Sequence, residues 1–300
     1  MLGEKFYGTV RKMRNSIKKK LLISFSGGRT SAYMMYMILN SKEYNQHYDF
    51  KIVFANTGKE HEGTLEFVRD CALKFNCEIV WIEAKHLDNN GVPFTKKGWG
   101  VGFKVVDFHT ASRNGEPFEE MLSVLGIPCS SAPFCSDQLK RKPIEKYLKS
   151  IGWDSYWKAI GIRVDEIDRI NENRVKKKIL YPLVKEFPTK KIEILNWWKN
   201  NNFDLNIPLN LGNCDICWKK SFKVLVNNTR DFPERFEWWQ QMIDKYAHKS
   251  RNSDKAISFF RGGKSIKELF EMGQLSQEQL TLFAEEYKLD GCSESCEVYK

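Results

Sequence analysis

The sequence predicts an α/β fold: a parallel sheet with helices on both faces, followed by a helical, cysteine-bearing C-terminal extension. Three observations carry this. Short apolar runs at residues 21–25, 50–55 and 78–82 alternate with stretches of helical period. Such β-α-β-α-β alternation implies parallel strands joined by right-handed crossovers. The first two runs end in turn residues, Ser26, Gly27 and Gly28 in one case and Asn56, Thr57 and Gly58 in the other. Both turns fall at carboxyl ends of strands, where open sheets of this kind bind ligands.

Each element is read in chain order. Residues 4–19 read as a basic leading helix, and strand one as 21–25. A methionine-rich helix follows over about 30–39, with Met34, Met35 and Met37 packing on the sheet. After the strand at 50–55, a helix spans about 60–75, then the strand at 78–82. Residues 91–102 are glycine-rich and carry Lys96, Lys97 and Trp99, which reads as a loop or hairpin and a candidate lid. Residues 111–118 form a turn feeding a helix, and a longer helix is expected over 136–149. A strand at 156–160 ends at Gly161, a helix follows Pro188, and the remainder from about 217 is mostly helical.

The β1–α1 junction is the most informative stretch. Two glycines turn the chain where a Cβ would clash. The unpaired N–H groups of the first helical turn then point at the loop, an arrangement suited to phosphate. Ser26, Thr30 and Ser31 add hydroxyls, and Arg29 adds a positive charge. The stretch lacks the Gly-Lys-Ser/Thr of a Walker loop and the three-glycine dinucleotide fingerprint. Further on, Arg163 sits at a strand end, where a guanidinium can hold phosphate oxygens. Asp165 or Glu166 is placed to bind Mg²⁺, which takes one or two carboxylates plus phosphate.

Composition narrows the class. The formal net charge is +10, concentrated at Arg11–Lys20, Lys140–Lys142 and Lys176–Lys178. That balance favours phosphate-bearing partners, nucleotide or nucleic acid. No apolar run reaches about 18 residues, and the first residues lack a signal-peptide pattern, so a cytoplasmic chain without membrane contact is expected. There are eight cysteines. Cys214 and Cys217 have metal-ligand or redox spacing, and Cys292 and Cys296 form a second close pair.

The ordered set of motifs resembles the PP-loop ATP pyrophosphatases, in the branch of phosphoadenosine-phosphosulfate reductases and their sulfur-transfer relatives. The loop Ser26, Gly27, Gly28 and Ser31 matches the Ser-Gly-Gly-x-x-Ser pattern, with Thr30 where many members carry Asp. The run from Val53 to Glu60, the segment from Phe134 to Ile144, the stretch Gly161 to Glu166, Tyr181 to Leu183, and Gly212 to Cys217 follow in the family's order. The resemblance covers roughly residues 18–225. It implies a Rossmann-like, adenine nucleotide alpha hydrolase-like core over 18–212, preceded by a basic arm over 1–17 and followed by the extension over 213–300.

The resemblance also implies site residues. Nucleotide is expected at Ser24, Ser26, Gly27, Gly28, Arg29, Thr30, Ser31, Asn56, Thr57, Gly58, Glu60 and Gly161, with Arg29, Arg163, Asp165 and Glu166 in catalysis. Arg113, Lys140, Arg141, Lys142 and Arg169 are expected at an anionic substrate. Cys135, Cys214 and Cys217, completed by Cys292 or Cys296, are the expected metal ligands, for a [4Fe–4S] cluster or alternatively Zn²⁺. The implied activity is ATP- and Mg²⁺-dependent adenylation of a substrate, with nucleic acid favoured, followed by sulfur transfer from a donor such as a cysteine desulfurase. Two other readings are a thiol-dependent reductase of adenylyl sulfate or phosphoadenylyl sulfate, and a non-catalytic binding subunit of a modification or defence system.

Overall fold

The computed structural model describes residues 17–129, 132–208, 211–212, 214–217, 220–250, 263–275 and 279. The first half is built on strand–helix alternation. Strand β1 (Lys19–Phe25) leads into α1 (Arg29–Asn40) and the short α2 (Lys42–His47). Then come β2 (Tyr48–Asn56), α3 (Glu62–Lys74) and β3 (Ile79–Lys85). Strand β4 (Gly102–Val106) turns back antiparallel against β3. Helix α4 (Glu116–Leu125), a π-helical turn (Asp137–Arg141) and α5 (Lys142–Ser150) follow, then β5 (Trp157–Ala159) and β6 (Ile179–Leu180). Helices α6 (Pro182–Lys185) and α7 (Lys191–Lys199) close this part, and α8 (Phe222–Asp231), α9 (Glu234–Tyr246) and α10 (Ile266–Gly273) form the extension.

The six strands lie in the order β4-β3-β2-β1-β5-β6, all parallel except β4. Successive side chains of a strand point to opposite faces, and both faces are apolar here. Leu21, Ile23, Ile52, Phe54, Ile79 and Trp81 pack with α1, α3 and α7. Leu22, Val53, Val80 and Ile82 pack with Ile144, Tyr147 and Leu148 of α5. Met34 and Met35 of α1 are fully buried in the first of these cores. A third core joins α4, α8, α9 and α10, with Leu139 and Ile216 beneath them. The extension therefore packs on α4 and on the π-helical turn, inside the 18–212 segment.

Several elements depart from the sequence expectation. Lys19 belongs to β1 rather than to a leading helix, whose residues 4–16 lie outside the described residues. The helix expected over 136–149 starts with a π-helical turn in which Lys142 N–H bonds Asp137 C=O, five residues back. Pro143 accounts for it, because it has no N–H for the Leu139 carbonyl and its ring crowds that position. The hairpin reading of 91–102 allows an antiparallel return, and β4 supplies it just beyond that stretch, whereas β6, only two residues long, was not expected.

The strand order has one consequence for function. From β1 the chain builds outward through β2 and β3, then returns to place β5 on the other flank of β1. The reversal lies between β1 and β5. Loops leaving the carboxyl ends of two such strands diverge and open a crevice.

Candidate functional site

The loop leaving β1 forms one wall of that crevice. Gly27 has φ +77°, and a Cβ there would stand 2.7 Å from Thr64 Cγ2 and 3.2 Å from Phe54 Cε2. Only glycine fits both demands. Gly28 differs. It is the N-cap of α1 with extended backbone, and a Cβ on it would meet only Ser26 Oγ, at 3.6 Å. The loop is held from within. Ser31 Oγ accepts from Ser26 N–H (3.3 Å), pairs with Ser26 Oγ (2.9 Å) and donates to Gly28 C=O (3.0 Å). No side chain caps α1, and its first turn contains no acid. The N–H groups of Arg29, Thr30 and Ser31 thus have no intrahelical acceptor, and the positive end of the helix dipole faces the crevice uncompensated. Ser24, half-buried in β1, lies one turn of the pleat below.

Gly161 to Arg163, leaving β5, forms the other wall. A Cβ on Gly161 would lie 3.4 Å from Ser31 Cα and 3.5 Å from Thr30 Cγ2, so the two walls touch. Arg163 is 6% exposed. Its Nη1 donates to Thr30 Oγ1 (3.1 Å), its Nε to Asp165 Oδ1 (3.0 Å), and its Nη2 lies 3.3 Å from Glu166 Oε2. Glu166 also pairs with Arg169. Burial pushes the Asp165 carboxyl up, but the Arg163 hydrogen bond and charge outweigh it and hold it below the usual carboxylate range. Both acids expected at Mg²⁺ are therefore paired with guanidinium groups.

Arg29 is placed at the loop but committed elsewhere. Its Nε and Nη2 make a bidentate pair with Asp204 (2.7 and 2.9 Å), and Nη2 also donates to Leu205 C=O (2.7 Å). Trp198 Nε1 donates to Arg29 C=O at 3.1 Å. Together these contacts clamp the start of α1 against α7 and residues 204–205.

The loop after β2 is buried and self-satisfied. Asn56 donates to Glu83 (2.7 Å) and to Ser112 C=O (2.8 Å), while its Oδ1 accepts from Gly58 N–H (3.1 Å). Thr57 donates through N–H and Oγ1 to Glu60 Oε2, both at 2.8 Å. The other Glu60 oxygen faces Lys140 Nζ at 3.4 Å in a buried pair. Lys59 makes a second buried pair, 3.1 Å from Asp215, with its ammonium 4.5 Å from the centre of the Trp238 ring. Such pairs need good geometry to offset desolvation. These two tie the loop to the π-helical turn and to residues 214–217.

Among the expected cysteines, Cys214 meets the loop after β2. It bridges Glu60 in an isolated antiparallel pair, and its Sγ lies 3.5 Å from Thr57 Oγ1. Cys217 follows in the same turn, its N–H bonding Cys214 C=O at 3.2 Å. Cys135 packs against the same core as Cys214. Burial pushes the Cys214 thiol up, with Lys140 opposing and Glu60 and Cys217 reinforcing. Cys292 and Cys296 lie outside the described residues. Among the described residues no three His, Cys, Asp or Glu side chains converge as metal ligands.

The expected substrate cations all have protein partners. Arg113 pairs with Glu62 (2.7 Å) and donates to Ala111 and Phe108 carbonyls. Arg141 bridges Asp137 and Glu145 in helical register. Lys142 lies 3.4 Å from Asp137 and donates to Trp99 C=O at 3.3 Å. Lys140 and Arg169 hold Glu60 and Glu166.

Glu83 and Asp204 were missed by sequence reasoning. Glu83, 3% exposed, accepts from Asn56, Ser112 N–H and Ser112 Oγ, and so shapes the β2 and β3 loop ends. Its signal was present: a lone carboxylate after four apolar strand residues. Asp204 had none, because its partner is 175 residues away.

The nin region protein ORF290 of Escherichia phage lambda, an uncharacterized protein, is 31% identical to this chain over 285 residues, covering 93% of this chain and 94% of its own length. Two uncharacterized proteins of Methanocaldococcus jannaschii, MJ0066 and MJ0973, are each 24% identical, over 263 and 267 residues. The chain spans about half of their length, 45% and 54%. No protein-family model matches the chain, and no solved structure matches it significantly.

Proposed function

The chain belongs to the family of the phage lambda nin region protein ORF290, and we propose that it is an ATP-dependent enzyme of the PP-loop class. ATP is cleaved between its α- and β-phosphates, and the adenylyl group passes to an acceptor substrate. One observation carries this reading. The uncapped amino end of α1 opens into the crevice between β1 and β5, with the Arg163 charge held at its first turn by Thr30.

In this reaction an acceptor oxygen attacks the α-phosphorus. The bond from that phosphorus to the bridging oxygen breaks, and pyrophosphate leaves carrying the electron pair. The N–H groups of Arg29, Thr30 and Ser31 receive the charge on the leaving oxygens, and preformed donors of this kind need no reorganisation in the transition state. Gly28 lets the phosphate approach the backbone, since a side chain there would occupy the crevice. Arg29 acts as an anchor through Asp204 rather than as a phosphate ligand. A sulfur nucleophile then displaces AMP, and the Cys214 thiol beside Thr57 supports sulfur delivery at this edge. Mg²⁺ commonly accompanies nucleotide phosphates. Among the described residues no three His, Cys, Asp or Glu side chains converge as an iron–sulfur or zinc ligand set; Mg²⁺, which needs only one or two carboxylates besides phosphate oxygens, would draw on Asp165 or Glu166. The basic balance of the chain favours nucleic acid as acceptor, and a desulfurase-type protein is the fitting sulfur donor.

The test is product analysis. Protein incubated with ATP, Mg²⁺ and a pool of tRNA or DNA should yield AMP and pyrophosphate. ADP and phosphate as products would overturn the reading. Nucleotide-independent binding of nucleic acid with no AMP would assign the chain a binding role instead.

A further inference from the structure

The sequence carries three basic clusters, and the structure treats them differently. The cluster at residues 140–142 is consumed internally, in ion pairs with Glu60, Asp137 and Glu145. The described end of the first cluster, Lys18–Lys20, and the cluster at 176–178, although more than 150 residues apart in sequence, lie at one edge of the sheet. It is the amino edge, opposite the crevice. Residues 153–156 precede β5, residues 176–178 precede β6, and Lys19 and Lys20 begin β1 alongside. Lys20 Nζ donates to Gly152 C=O at 2.5 Å and stands 5.7 Å from the Trp153 ring centre. Lys18 and Lys19 are exposed at the amino end of β1.

A cavity of about 410 Å³ opens at this edge, lined by Lys149, Lys158, Lys176, Lys177, Lys178 and Tyr156. Five ammonium groups share it with two carboxylates, Glu145 and Asp154. Its shape is fixed by the backbone. Lys158 N–H bonds Lys178 C=O at 2.8 Å, and Lys178 has φ +53°, a left-handed conformation that an unbranched non-glycine residue adopts at a cost. Lys178 Nζ is held by Ser155 Oγ, while Lys176 and Lys177 are exposed at the mouth. Tyr156 is half-buried in the wall, with Lys158 Nζ 5.8 Å from its ring centre.

We infer that this amino-edge cavity, with Lys18 and Lys19 at the same edge of the sheet, is a docking site for the phosphate backbone of a single-stranded nucleic acid. Crowded like charges repel one another, and a polyanion relieves that repulsion while releasing its own counterions. The lysines extend beyond the cavity onto β1, farther than one phosphate needs and along a path suited to a polymer. A ring in the wall beside ammonium groups is the combination that single-strand sites use, stacking a base while cations track the backbone. The site holds the polymer away from the crevice and presents another part of it for adenylation. The inference rests on the proposed function only for the acceptor being nucleic acid.

The experiment is fluorescence anisotropy with a labelled single-stranded oligonucleotide, across a salt series, using the full chain. The variants are Lys176→Glu with Lys177→Glu, and a charge-matched control, Lys199→Glu with Lys223→Glu, at exposed positions elsewhere. Thermal unfolding confirms that all three proteins fold. The cavity variant should bind about tenfold more weakly or worse than the control. Its slope of log-affinity against log-salt should fall by roughly 0.7 for each phosphate that the lysines no longer neutralise. Equal affinity and slope in the two variants would overturn the inference. So would loss of binding to phosphatidylserine–phosphatidylcholine vesicles with oligonucleotide binding intact, which would assign the site to a membrane. AMP formation from ATP is read separately. If oligonucleotide binding behaves as expected and no AMP forms, the docking site stands and the enzymatic reading falls.

Discussion

Two adjacent glycines have different tasks. Gly27 is required by the fold, because its positive φ and the Thr64 methyl 2.7 Å from a would-be Cβ leave no room for a side chain. Gly27→Ala should cost about 1–2 kcal/mol or more in unfolding free energy, read by urea denaturation. Gly28 has ordinary backbone and open space before it, so its replacement should act on ligand more than on fold. Arg29 makes the opposite point. Its ion pair with Asp204 is about a third exposed and so worth no more than about 1 kcal/mol. Arg29→Ala and Asp204→Ala should each lower stability by that modest amount, and the double variant should show the coupling as non-additivity. ATP affinity, measured by calorimetry, should change far less than in a Gly28 variant. The turn between β1 and α1 was legible in sequence because its glycines and hydroxyls are contiguous. The commitment of Arg29 was not, because it depends on a residue brought close only by the fold.

At the scale of elements, strands that alternate with long amphipathic helices announced themselves, and their ends fall within a few residues of expectation. The misses have physical causes. A two-residue strand such as β6 has too little pattern to be read, and β4, just beyond the expected hairpin stretch, takes its pairing from β3 rather than from its own sequence. The π-helical turn was foreshadowed by Pro143, but a proline in a helix signals disruption without saying which kind. The widened turn places Lys140 against Glu60, and this buried pair fastens the β2 loop. Lys140→Met alone strands the Glu60 charge and should cost about 3–5 kcal/mol. Lys140→Met with Glu60→Gln should recover much of that loss in the same denaturation assay. Equal losses in both variants would mean that the pair fastens nothing.

Across the whole molecule, the sheet order decides where chemistry is placed. The strand reversal beside β1 turns two unremarkable loops into facing walls, and it brings Lys19 and Lys20 and the distant lysines at 176–178 to the opposite edge. Neither outcome is visible along the sequence, where the clusters look alike. Global stability should also report the buried His86, just beyond β3. Burial pushes its imidazole down to about 4, with Gln138 opposing and Lys142 reinforcing. Above the ordinary value of 6.5, both folded and unfolded states are neutral there. As pH falls from 6.5 toward 4, the unfolded chain takes a proton that the folded chain refuses, so stability is lost at up to about 1.4 kcal/mol per pH unit. Between pH 7.5 and 5.0, the native chain should lose about 2 kcal/mol more than a His86→Gln variant. The proposal that the crevice binds a nucleotide phosphate is tested most directly by calorimetric titration of the native chain and of Gly28→Val with ATP and Mg²⁺. The native chain should bind, and the variant should bind about tenfold more weakly or worse (~1.4 kcal/mol), while losing no more than about 1 kcal/mol of unliganded stability through the poorer N-cap. No ATP binding by the native chain, or equal affinity in the two, would rule out a nucleotide phosphate at the amino end of α1.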